Sequence, residues 1–502
     1  MYVQGDKNIK YLSELERYEL ININDGEKYD YLQNNDLVID DEGNIRYLLI
    51  DASSSKFSIF GGAREILEID WSAVQKVGAK TIILDADEKS IKRAKVWIKG
   101  GKPMKIVVQK FGGTSVSTKE RRCRVVEKVK HAIEEGYSPV VVVSAMGRSG
   151  DPYATDTLLS LVEEKFKGTN KLASDLLMCC GEIISSVVMS NDLFEAGIDS
   201  IPLTGGQAGI KTDSVFTNAA HKEVDPKQIL DLVSKGRVPV VTGFQGITED
   251  GFFTTLGRGG SDTSAAILGV ALNAEQIEIY TDVDGIMTAD PRIVKDASLI
   301  NVISYNEVFQ LAEQGAKVIH PRAVDIAMKS NVPLFIKNTM SDAKGTLINN
   351  NGDVNNNKII TGITHQNYRI QVRIKADENE GNSKYKDILS LLAANKISLD
   401  LINIFPEQQI FTIGADKKEQ LKNILEAVGI KYSLRENCSQ IAIVGSRMTG
   451  IPGVIAKIVQ SLNENNVEVL QTADSHMTIW CLVGSENVSK AINALHKSFE
   501  LS

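Results

Sequence analysis

The sequence predicts an α/β protein in three parts: a small N-terminal β module, a central domain with a mainly parallel sheet, and two C-terminal βαββα units. Three observations support this. Short alternating apolar runs precede residue 88, apolar β runs alternate with helix-length amphipathic segments over residues 105–348, and an internal repeat follows residue 359. At about 100–200 residues per domain, a 502-residue chain requires several such units.

The composition excludes several classes of protein. Hydrophobic residues make up 43% of the chain and charged residues 24%, which is typical of folded globular proteins. A net charge of −8 argues against a nucleic-acid surface and requires a local basic pocket for any anionic substrate. Residues 139–146 form the longest apolar run, so we expect no membrane span and a cytoplasmic location. The five scattered cysteines indicate buried, reduced thiols.

The N-terminal part, residues 1–88, contains two apolar β runs, 37–39 and 45–50, around a turn at 41–44. We expect a small β module there. A charged stretch with Gly100, Gly101 and Pro103 follows, and it predicts a linker over residues 89–104.

In the central part, residues 105–348, β runs at 106–108, 140–143, 238–241 and 277–280 alternate with amphipathic segments. This pattern predicts a mainly parallel sheet covered by helices. Residues 243–255 instead predict a β-hairpin, because Asp250 and Gly251 lie between two β-rich runs.

The C-terminal part repeats one pattern. Residues 391–399 and 461–469 each predict a helix end, an asparagine turn and a strand. We place one unit at 359–435 and the other at 436–502, and we expect them to pack as a pair that covers exposed sheet edges.

The strongest chemical signal is an apolar strand that runs into Lys110, Gly112, Gly113 and Ser115 before a helix. Paired glycines allow backbone N–H groups to approach a phosphate, and the helix N-terminus adds partial positive charge. Taken alone, the segment is also compatible with a strand-end lysine beside a structural turn.

Two further segments could complete such a site. Arg258 lies between glycines and predicts a bidentate clamp on a carboxylate, while Ser261 and Asp262 are either helix caps or site residues. The turn that contains Thr281 and Asp282 follows a predicted strand, where α/β sheets place ligands, although ordinary turns have the same composition.

The remaining candidates are isolated polar residues. Glu182 lies in an apolar helical stretch, where a carboxylate requires a cationic partner. Ser144 and Thr155 could supply hydroxyl groups or simply start helices, and Lys317 is a further cation. We expect His320 to be a packed or capping residue rather than a base.

Together these segments resemble the aspartokinases, a family of the amino-acid kinase superfamily. The resemblance covers about 400 residues, and its motifs occur in family order. They are KFGGTSV at 110–116, SAMG at 144–147, GE at 181–182, GRGGSD at 257–262, TDVDG at 281–285, DPR at 290–292 and GAKV at 315–318.

The resemblance implies transfer of the γ-phosphoryl group of MgATP to the β-carboxylate of L-aspartate, the first step towards lysine, diaminopimelate, threonine and methionine. The implied cofactors are ATP and Mg²⁺, with no assigned protein ligand for the metal. Carried over residue by residue, the catalytic residues are Lys110 and Asp262; the substrate residues are Ser144, Thr155, Glu182, Arg258 and Ser261; and the nucleotide residues are Lys110, Gly112, Gly113, Ser115, Thr281, Asp282, Met287, Arg292 and Lys317.

The repeated units resemble the tandem ACT domains of aspartokinases, which bind end-product amino acids. This implies a feedback inhibitor, either diaminopimelate, lysine or threonine, with Asp400 as a regulatory residue, and a homodimer or higher oligomer formed through the ACT domains. The whole chain is most similar to the diaminopimelate-sensitive type. Residues 1–88 resemble a PRC-barrel module without a catalytic constellation.

Two alternatives follow from the same motifs. Fold alone does not identify the acceptor, so acetylglutamate kinase or glutamate 5-kinase is one rival, although these enzymes lack the ACT pair. The other is a catalytically inactive amino-acid sensor, which would be favoured by loss of Lys110 or Asp262; both residues are present.

Overall fold

The computed structural model describes residues 15, 18–24, 26, 28–32, 35–40, 42, 44–51, 65–78, 80–86, 91–95, 104–316, 318–354, 358–375, 383–448 and 451–502. The chain divides into two compact units, Met1–Met104 and Lys105–Ser502. Each unit has its own hydrophobic core.

The N-terminal unit contains two four-stranded sheets with strand orders β2-β1-β7-β6 and β3-β4-β5-β8. Side chains from both sheets, among them Leu20, Leu48, Ile69 and Ile82, form one buried cluster, consistent with a small, nearly closed barrel. The strands are β1 (Glu19–Asn22), β2 (Lys28–Tyr31), β3 (Asp36–Ile39), β4 (Ile45–Asp51), β5 (Glu65–Asp70), β6 (Val74–Val77), β7 (Thr81–Leu84) and β8 (Lys92–Lys95).

Strand β8 pairs antiparallel with β5, so this unit extends beyond residue 88, where the sequence analysis ended it. Four residues of the predicted linker are therefore part of a sheet. Residues 96–103 of that linker lie outside the described residues.

The central domain is built on an eight-stranded sheet with the order β11-β14-β10-β9-β17-β19-β20-β18. Its strands are β9 (Lys105–Phe111), β10 (Tyr137–Val143), β11 (Ser200–Leu203), β14 (Val238–Thr242), β17 (Gln276–Thr281), β18 (Val302–Ser304), β19 (Leu334–Asn338) and β20 (Thr346–Asn349). A smaller sheet contains β12 (Ile210–Thr212), β13 (His221–Val224), β15 (Gln245–Ile247) and β16 (Phe253–Thr255).

The helices of this domain are α1 (Lys119–Glu134), α2 (Thr155–Leu159), α3 (Glu164–Thr169), α4 (Lys171–Glu195), α5 (Lys227–Ser234), α6 (Gly260–Ala271), α7 (Tyr305–Glu313) and α8 (Pro321–Lys329). They cover both faces of the large sheet, which explains why its strands are continuous apolar runs.

Strand pairing confirms the predicted sheet. β9 lies between β10 and β17 and pairs parallel with both, while β19 and β20 pair antiparallel. The predicted hairpin is also confirmed, because β15 and β16 pair antiparallel. Since ligands of parallel sheets bind at the carboxyl ends of strands, the end of β9 places Lys110 at the centre of the expected site.

Helix α4 is long and apolar enough to cross a membrane by length and composition, which the search for apolar runs did not anticipate. Half of its most apolar window is buried inside the protein, however, and it contacts β11, β14 and β16. It also buries Asp175, Glu182 and Asp192. These features are those of a core helix.

The C-terminal part forms one six-stranded sheet with the order β22-β23-β21-β24-β26-β25. The βαββα pattern occurs twice, as predicted. The elements are β21 (Gly362–Lys375), α9 (Ser383–Ala394), β22 (Asp400–Ile404), β23 (Gln408–Gly414), α10 (Lys418–Ala427), β24 (Tyr432–Val444), α11 (Val454–Glu464), β25 (Gln471–Asp474), β26 (Thr478–Gly484) and α12 (Val488–Ser498).

The two long strands β21 and β24 are shared between two cores. Ile370, Val372 and Ile374 pack with residues of α9 and α10, whereas Ile360 and Ile363 pack with α11 and α12. The start of β21 therefore packs with the second repeat although it belongs to the first repeat in sequence.

The repeated asparagine turns explain the sequence repeat. Asn395 and Asn465 each donate a side-chain hydrogen bond to the carbonyl four residues earlier, at 2.8 Å, where their helix ends. Lys396 and Asn466 follow with φ of 57° and 50°. Each repeat thus ends its helix by the same local hydrogen bond and left-handed residue.

Candidate active site

Lys110 and Asp262 form an ion pair with 2.7 Å between Nζ and Oδ1. Lys110 lies near the end of β9, and Asp262 lies in the first turn of α6, after Gly259 in a left-handed conformation. Their side chains are only 12% and 15% exposed. The structure thus brings together the two segments that the sequence analysis assigned to one anion site.

The glycine loop after Lys110 packs closely against the loop that follows β10. A Cβ atom on Gly113 would lie 2.6 Å from the carbonyl oxygen of Ala145 and 2.8 Å from that of Gly147. The N–H group of Gly147 donates to the carbonyl of Gly113 at 3.0 Å. Glycine is therefore required at 113, and the two loops form one wall of the site.

The second oxygen of Asp262 also has a donor. The backbone N–H of His320 lies 3.3 Å from Asp262 Oδ2, and His320 Nδ1 accepts from the N–H of Arg322 as the cap of α8. The prediction that His320 is a packed or capping residue is therefore confirmed. Its ring occupies the position that a Cβ atom on Gly259 would need.

Glu182 is a buried carboxylate directed towards the loop after β10. It is 2% exposed, and its Oε1 accepts from the N–H of Ala145 at 3.1 Å. Its Oε2 is buried and has no hydrogen-bond donor among the described residues. Burial raises the pKa of Glu182 to about 8, against an opposing effect of the Ala145 hydrogen bond. Such a carboxylate is complementary to an ammonium group.

The other predicted substrate residues lie in the loop after β10, at the start of α2 and around the start of α6. Ser144 and Ser261 are half-buried, and Ser144 donates its N–H to the carbonyl of Phe111 at 3.1 Å. Thr155 is the first residue of α2. Arg258 is exposed in the turn between β16 and α6, four residues before Asp262.

The predicted nucleotide residues at the end of β17 meet a cation that the sequence analysis missed. Arg148 donates to Asp282 Oδ2 at 2.8 Å and to Thr114 Oγ1 at 3.1 Å, and Thr281 donates to Asp282. Arg148 thus links the glycine loop to the end of β17. Its sequence signal was an arginine directly after the SAMG motif.

Other nucleotide candidates are not gathered at this point. Ser115 is buried and hydrogen-bonded to Thr339 at 2.7 Å. Arg292 is 86% exposed and pairs with its neighbour Asp290 at 2.7 Å. Met287 is half-buried in a bridge with Leu299. Lys317 lies outside the described residues.

Buried polar contacts join the central domain to the C-terminal domain. Glu307 Oε2 accepts from the N–H and hydroxyl of Ser304, at the start of α7, while its Oε1 accepts from Thr361 Oγ1 at 2.6 Å and Ser446 N at 3.2 Å. Thr288 and His496 are hydrogen-bonded at 2.9 Å. The segment after β17 therefore contacts the predicted regulatory domain directly.

Two places in the C-terminal domain could hold an amino acid. Asp400 already pairs with Arg369 at 2.8 Å, so its carboxylate is not simply solvated. A cavity of about 560 Å³ lies at the other repeat, lined by Met448, Gly453, Asp474, Ser475 and His476 among others.

No cluster of three or more His, Cys, Asp or Glu side chains suited to a metal ion occurs in the part of the chain that the structure describes. Cys179, Cys438 and Cys481 are buried as expected, whereas Cys123 is exposed and Cys180 only partly buried. Burial raises the pKa of the Cys481 thiol to about 12, which makes it unreactive.

The fold and the site define an amino acid kinase joined to ACT domains. Residues 105–338 match the amino acid kinase family, and residues 433–497 match an ACT domain. The chain is 46% identical to aspartokinase 1 of Bacillus subtilis (strain 168) over 404 residues, 80% of this chain and 100% of that protein. It is 36% identical to an aspartokinase of Geobacillus stearothermophilus over 405 residues, 80% of this chain and 98% of that protein.

The chain therefore belongs to the aspartokinases, kinases that act on aspartate. Solved structures show the same fold. The E. coli aspartokinase III complex with aspartate and ADP has a TM-score of 0.65 at 24% identity and covers 78% of this chain and 99% of that one. The Clostridium acetobutylicum aspartate kinase has a TM-score of 0.63 at 24% identity, with 79% and 100% covered.

Proposed function

We propose that the Lys110–Asp262 centre transfers the γ-phosphoryl group of ATP to the β-carboxylate of L-aspartate, giving 4-phospho-L-aspartate and ADP. The observation that carries this assignment is the 2.7 Å ion pair beside the glycine loop at the end of the central strand. We place the enzyme in the cytoplasm. We propose that its reaction is the first step towards lysine, diaminopimelate, threonine and methionine.

Phosphoryl transfer depends mainly on positioning and on neutralising charge. The β-carboxylate of aspartate is ionised at pH 7, so the nucleophile needs no general base. In the proposed mechanism Lys110 neutralises the transferred group, and Asp262 orients Lys110. The backbone N–H group of Gly113 is proposed to face the same anion. The N–H group of Gly112, expected to assist, donates instead to the carbonyl oxygen of Tyr280 at 3.3 Å.

Recognition of aspartate requires groups for both ends of the amino acid. Glu182 is assigned to the ammonium group, because its buried Oε2 has no donor among the described residues. Arg258 is assigned to the α-carboxylate, because a guanidinium can bind it bidentately. Ser144, Thr155 and Ser261 are proposed to supply the surrounding hydroxyl groups.

For the nucleotide, the proposed phosphate contact is the glycine loop beside Lys110, where close packing against the loop after β10 requires glycine at 113. Mg²⁺, when bound with ATP, neutralises charge on the phosphate oxygens. We expect phosphate and water to supply most of its ligands, with Asp282 the nearby carboxylate on the β17 loop. The further nucleotide residues we propose are Ser115, Thr281, Met287, Arg292 and Lys317.

Feedback inhibition is assigned to the ACT pair, with diaminopimelate, lysine or threonine as the ligand. Support comes from the E. coli aspartokinase III structure in complex with lysine and aspartate, a protein of the same fold. We propose the cavity at Asp474–His476 and the Asp400 region as the two candidate sites. Exposed Ile404 and Phe405 on and beside edge strand β22 support a homodimer formed through this sheet.

The proposed domain organisation keeps a catalytic domain at 105–348 and an ACT pair at 359–435 and 436–502. The N-terminal β unit, which we liken to a PRC barrel, is proposed as a docking or fused module with no part in catalysis.

The assignment is tested by coupled ADP release with L-aspartate, L-glutamate and N-acetyl-L-glutamate as acceptors. We expect turnover with L-aspartate alone. Activity on either glutamate compound but not on aspartate would reject the assignment. Repeating the assay with lysine, threonine and diaminopimelate would identify the inhibitor.

A further inference from the structure

Asp175 is a fully buried carboxylate outside the predicted site. It lies in α4 and is 0% exposed. Its Oδ1 accepts from Thr255 Oγ1 at 2.8 Å, and its Oδ2 accepts from Thr255 N and Thr217 N, both at 2.9 Å. Both oxygens are thus used by donors from two other segments of the chain.

One of these two segments leads directly to Arg258, and the other is hydrogen-bonded to that segment. Thr255 is the last residue of β16, three residues before Arg258. Thr217 lies in the loop between β12 and β13 with φ of 73°, and Ala219 in the same loop donates its N–H to the carbonyl of Thr255 at 2.9 Å. Asp175 therefore binds the strand end and the loop together beneath the turn that carries Arg258.

The same helix carries Glu182, seven residues after Asp175. Seven residues are about two helical turns, so both carboxylates lie on the same buried face of α4. Helix α4 thus supplies Glu182 directly and holds the Arg258 turn through Asp175.

We propose that Asp175 is a positioning residue for substrate recognition: by tying the end of β16 to α4, it sets the position of Arg258 relative to Glu182. This inference rests on the proposed function, in which Arg258 binds the α-carboxylate of aspartate and Glu182 its ammonium group. A displacement of about 1 Å between two such groups is enough to weaken productive binding substantially.

The main test compares Asp175→Leu with Asp175→Asn. Leucine has a similar size but accepts no hydrogen bond, so the hydrogen bonds that hold the end of β16 and the Thr217 loop to α4 are lost. Asparagine can place its oxygen at Oδ2 for the two N–H donors and its amide group against Thr255 Oγ1, which can also accept. We expect Asp175→Leu to raise KM for L-aspartate by about 10–100-fold with KM for ATP nearly unchanged. For Asp175→Asn we expect KM for L-aspartate to stay close to the wild-type value.

Asp192→Leu is the matched control. Asp192 is another buried carboxylate of α4, but it pairs with Arg122 and Lys119 of α1, away from the Arg258 turn. Its loss leaves buried charge unpaired and lowers stability, yet we expect KM for L-aspartate to stay within about twofold of wild type. Equal KM changes in the two leucine variants would overturn the proposal.

A double-mutant cycle with Arg258→Ala tests whether Asp175 acts through Arg258. If it does, Asp175→Leu adds little to the KM increase already caused by Arg258→Ala, whereas independent effects would multiply. Multiplicative effects would contradict the proposal. Should Asp175→Leu fail to fold, Thr255→Val removes one of the hydrogen bonds, and the same cycle is run with it. Absence of aspartate-dependent ADP release in the wild-type protein would instead reject the proposed function.

Discussion

The ammonium group of Lys110 lies 2.7 Å from a carboxylate oxygen of Asp262, although Lys110 lies near the end of a strand and Asp262 lies in the first turn of a helix far along the chain. The pair is largely shielded from water, which strengthens its attraction and fixes the direction of the lysine side chain. Asp262 is itself held by the backbone of His320. This arrangement presents one positive charge at a defined place in the glycine-loop wall.

The first prediction concerns this charge. Lys110→Met should lower kcat by about 10²–10³-fold or more, because it removes the positive charge aimed at the transferred phosphoryl group, while the nearby Arg148 is paired with Asp282. Asp262→Asn should lower kcat less, since it loosens Lys110 without removing it. Steady-state ADP release measures both. Lys128→Met is the control, because Lys128 lies on α1 and pairs with Asp342. A Lys110→Met variant as active as this control would contradict the proposed role.

The second prediction concerns the pH dependence of aspartate binding. The pKa of Glu182 is raised to about 8, so in the free protein the carboxyl group is largely protonated below that pH. An ammonium ligand requires the ionised form, so binding must expel the proton. KM for L-aspartate should therefore rise as the pH falls from about 9 to about 7. In Glu182→Gln it should be high and nearly independent of pH over this range.

The raised pKa of Glu182 also predicts an effect on the stability of the folded protein. A carboxyl group with a raised pKa binds its proton more tightly in the folded chain than in the unfolded chain, whose value is 4.5. The wild-type free energy of unfolding should thus decrease between pH 5 and pH 8 relative to that of Glu182→Gln. Thermal melts of both proteins across this range measure the difference, and parallel curves would show that Glu182 does not titrate there.

The mainly parallel sheet and the Lys110–Asp262 site were predictable because they depend on local patterns. Apolar strands ending in glycine and hydroxyl residues mark the carboxyl edge of a parallel sheet, and Lys110, Glu182 and Asp262 all follow such patterns or stand out in apolar surroundings.

The remaining features depend on contacts between distant segments. Arg148 meets Asp282 only after β10 and β17 are placed on either side of β9, and Asp175 meets Thr255 only after α4 packs on the small sheet. The packing of Ile363 with α11 and α12 likewise follows from the register of β21 and β24, which no local signal specifies.

The third prediction concerns the contact between the kinase domain and the ACT pair. Burial raises the pKa of Glu307, but hydrogen bonds led by those from Ser304 and Thr361 outweigh it, and the pKa is lowered overall. Glu307→Gln places an amide group against one pair of donors and should cost about 1–3 kcal/mol of stability. Because Glu307 joins α7 to Thr361 and Ser446, we also expect weaker inhibition by the effector amino acid.

Glu313→Gln is the control for this variant, because Glu313 is exposed on the same helix and contributes its backbone carbonyl, not its side chain, to Gln366. Denaturant unfolding and inhibitor titration should separate the two variants. Unchanged stability and inhibition in Glu307→Gln would show that this contact neither stabilises the fold nor contributes to inhibition by the effector amino acid.

The fourth prediction distinguishes the two candidate regulatory sites. Asp474 lines the cavity of about 560 Å³, whereas Asp400 is paired with Arg369. If the effector binds in the cavity, Asp474→Ala removes a carboxylate suited to its ammonium group and should raise the inhibitor concentration for half-inhibition by about tenfold, equivalent to roughly 1.4 kcal/mol. Asp400→Ala should change it little. Inhibition curves for both variants, with diaminopimelate and lysine in turn, decide between the sites, and the reverse result would place the effector at the first repeat.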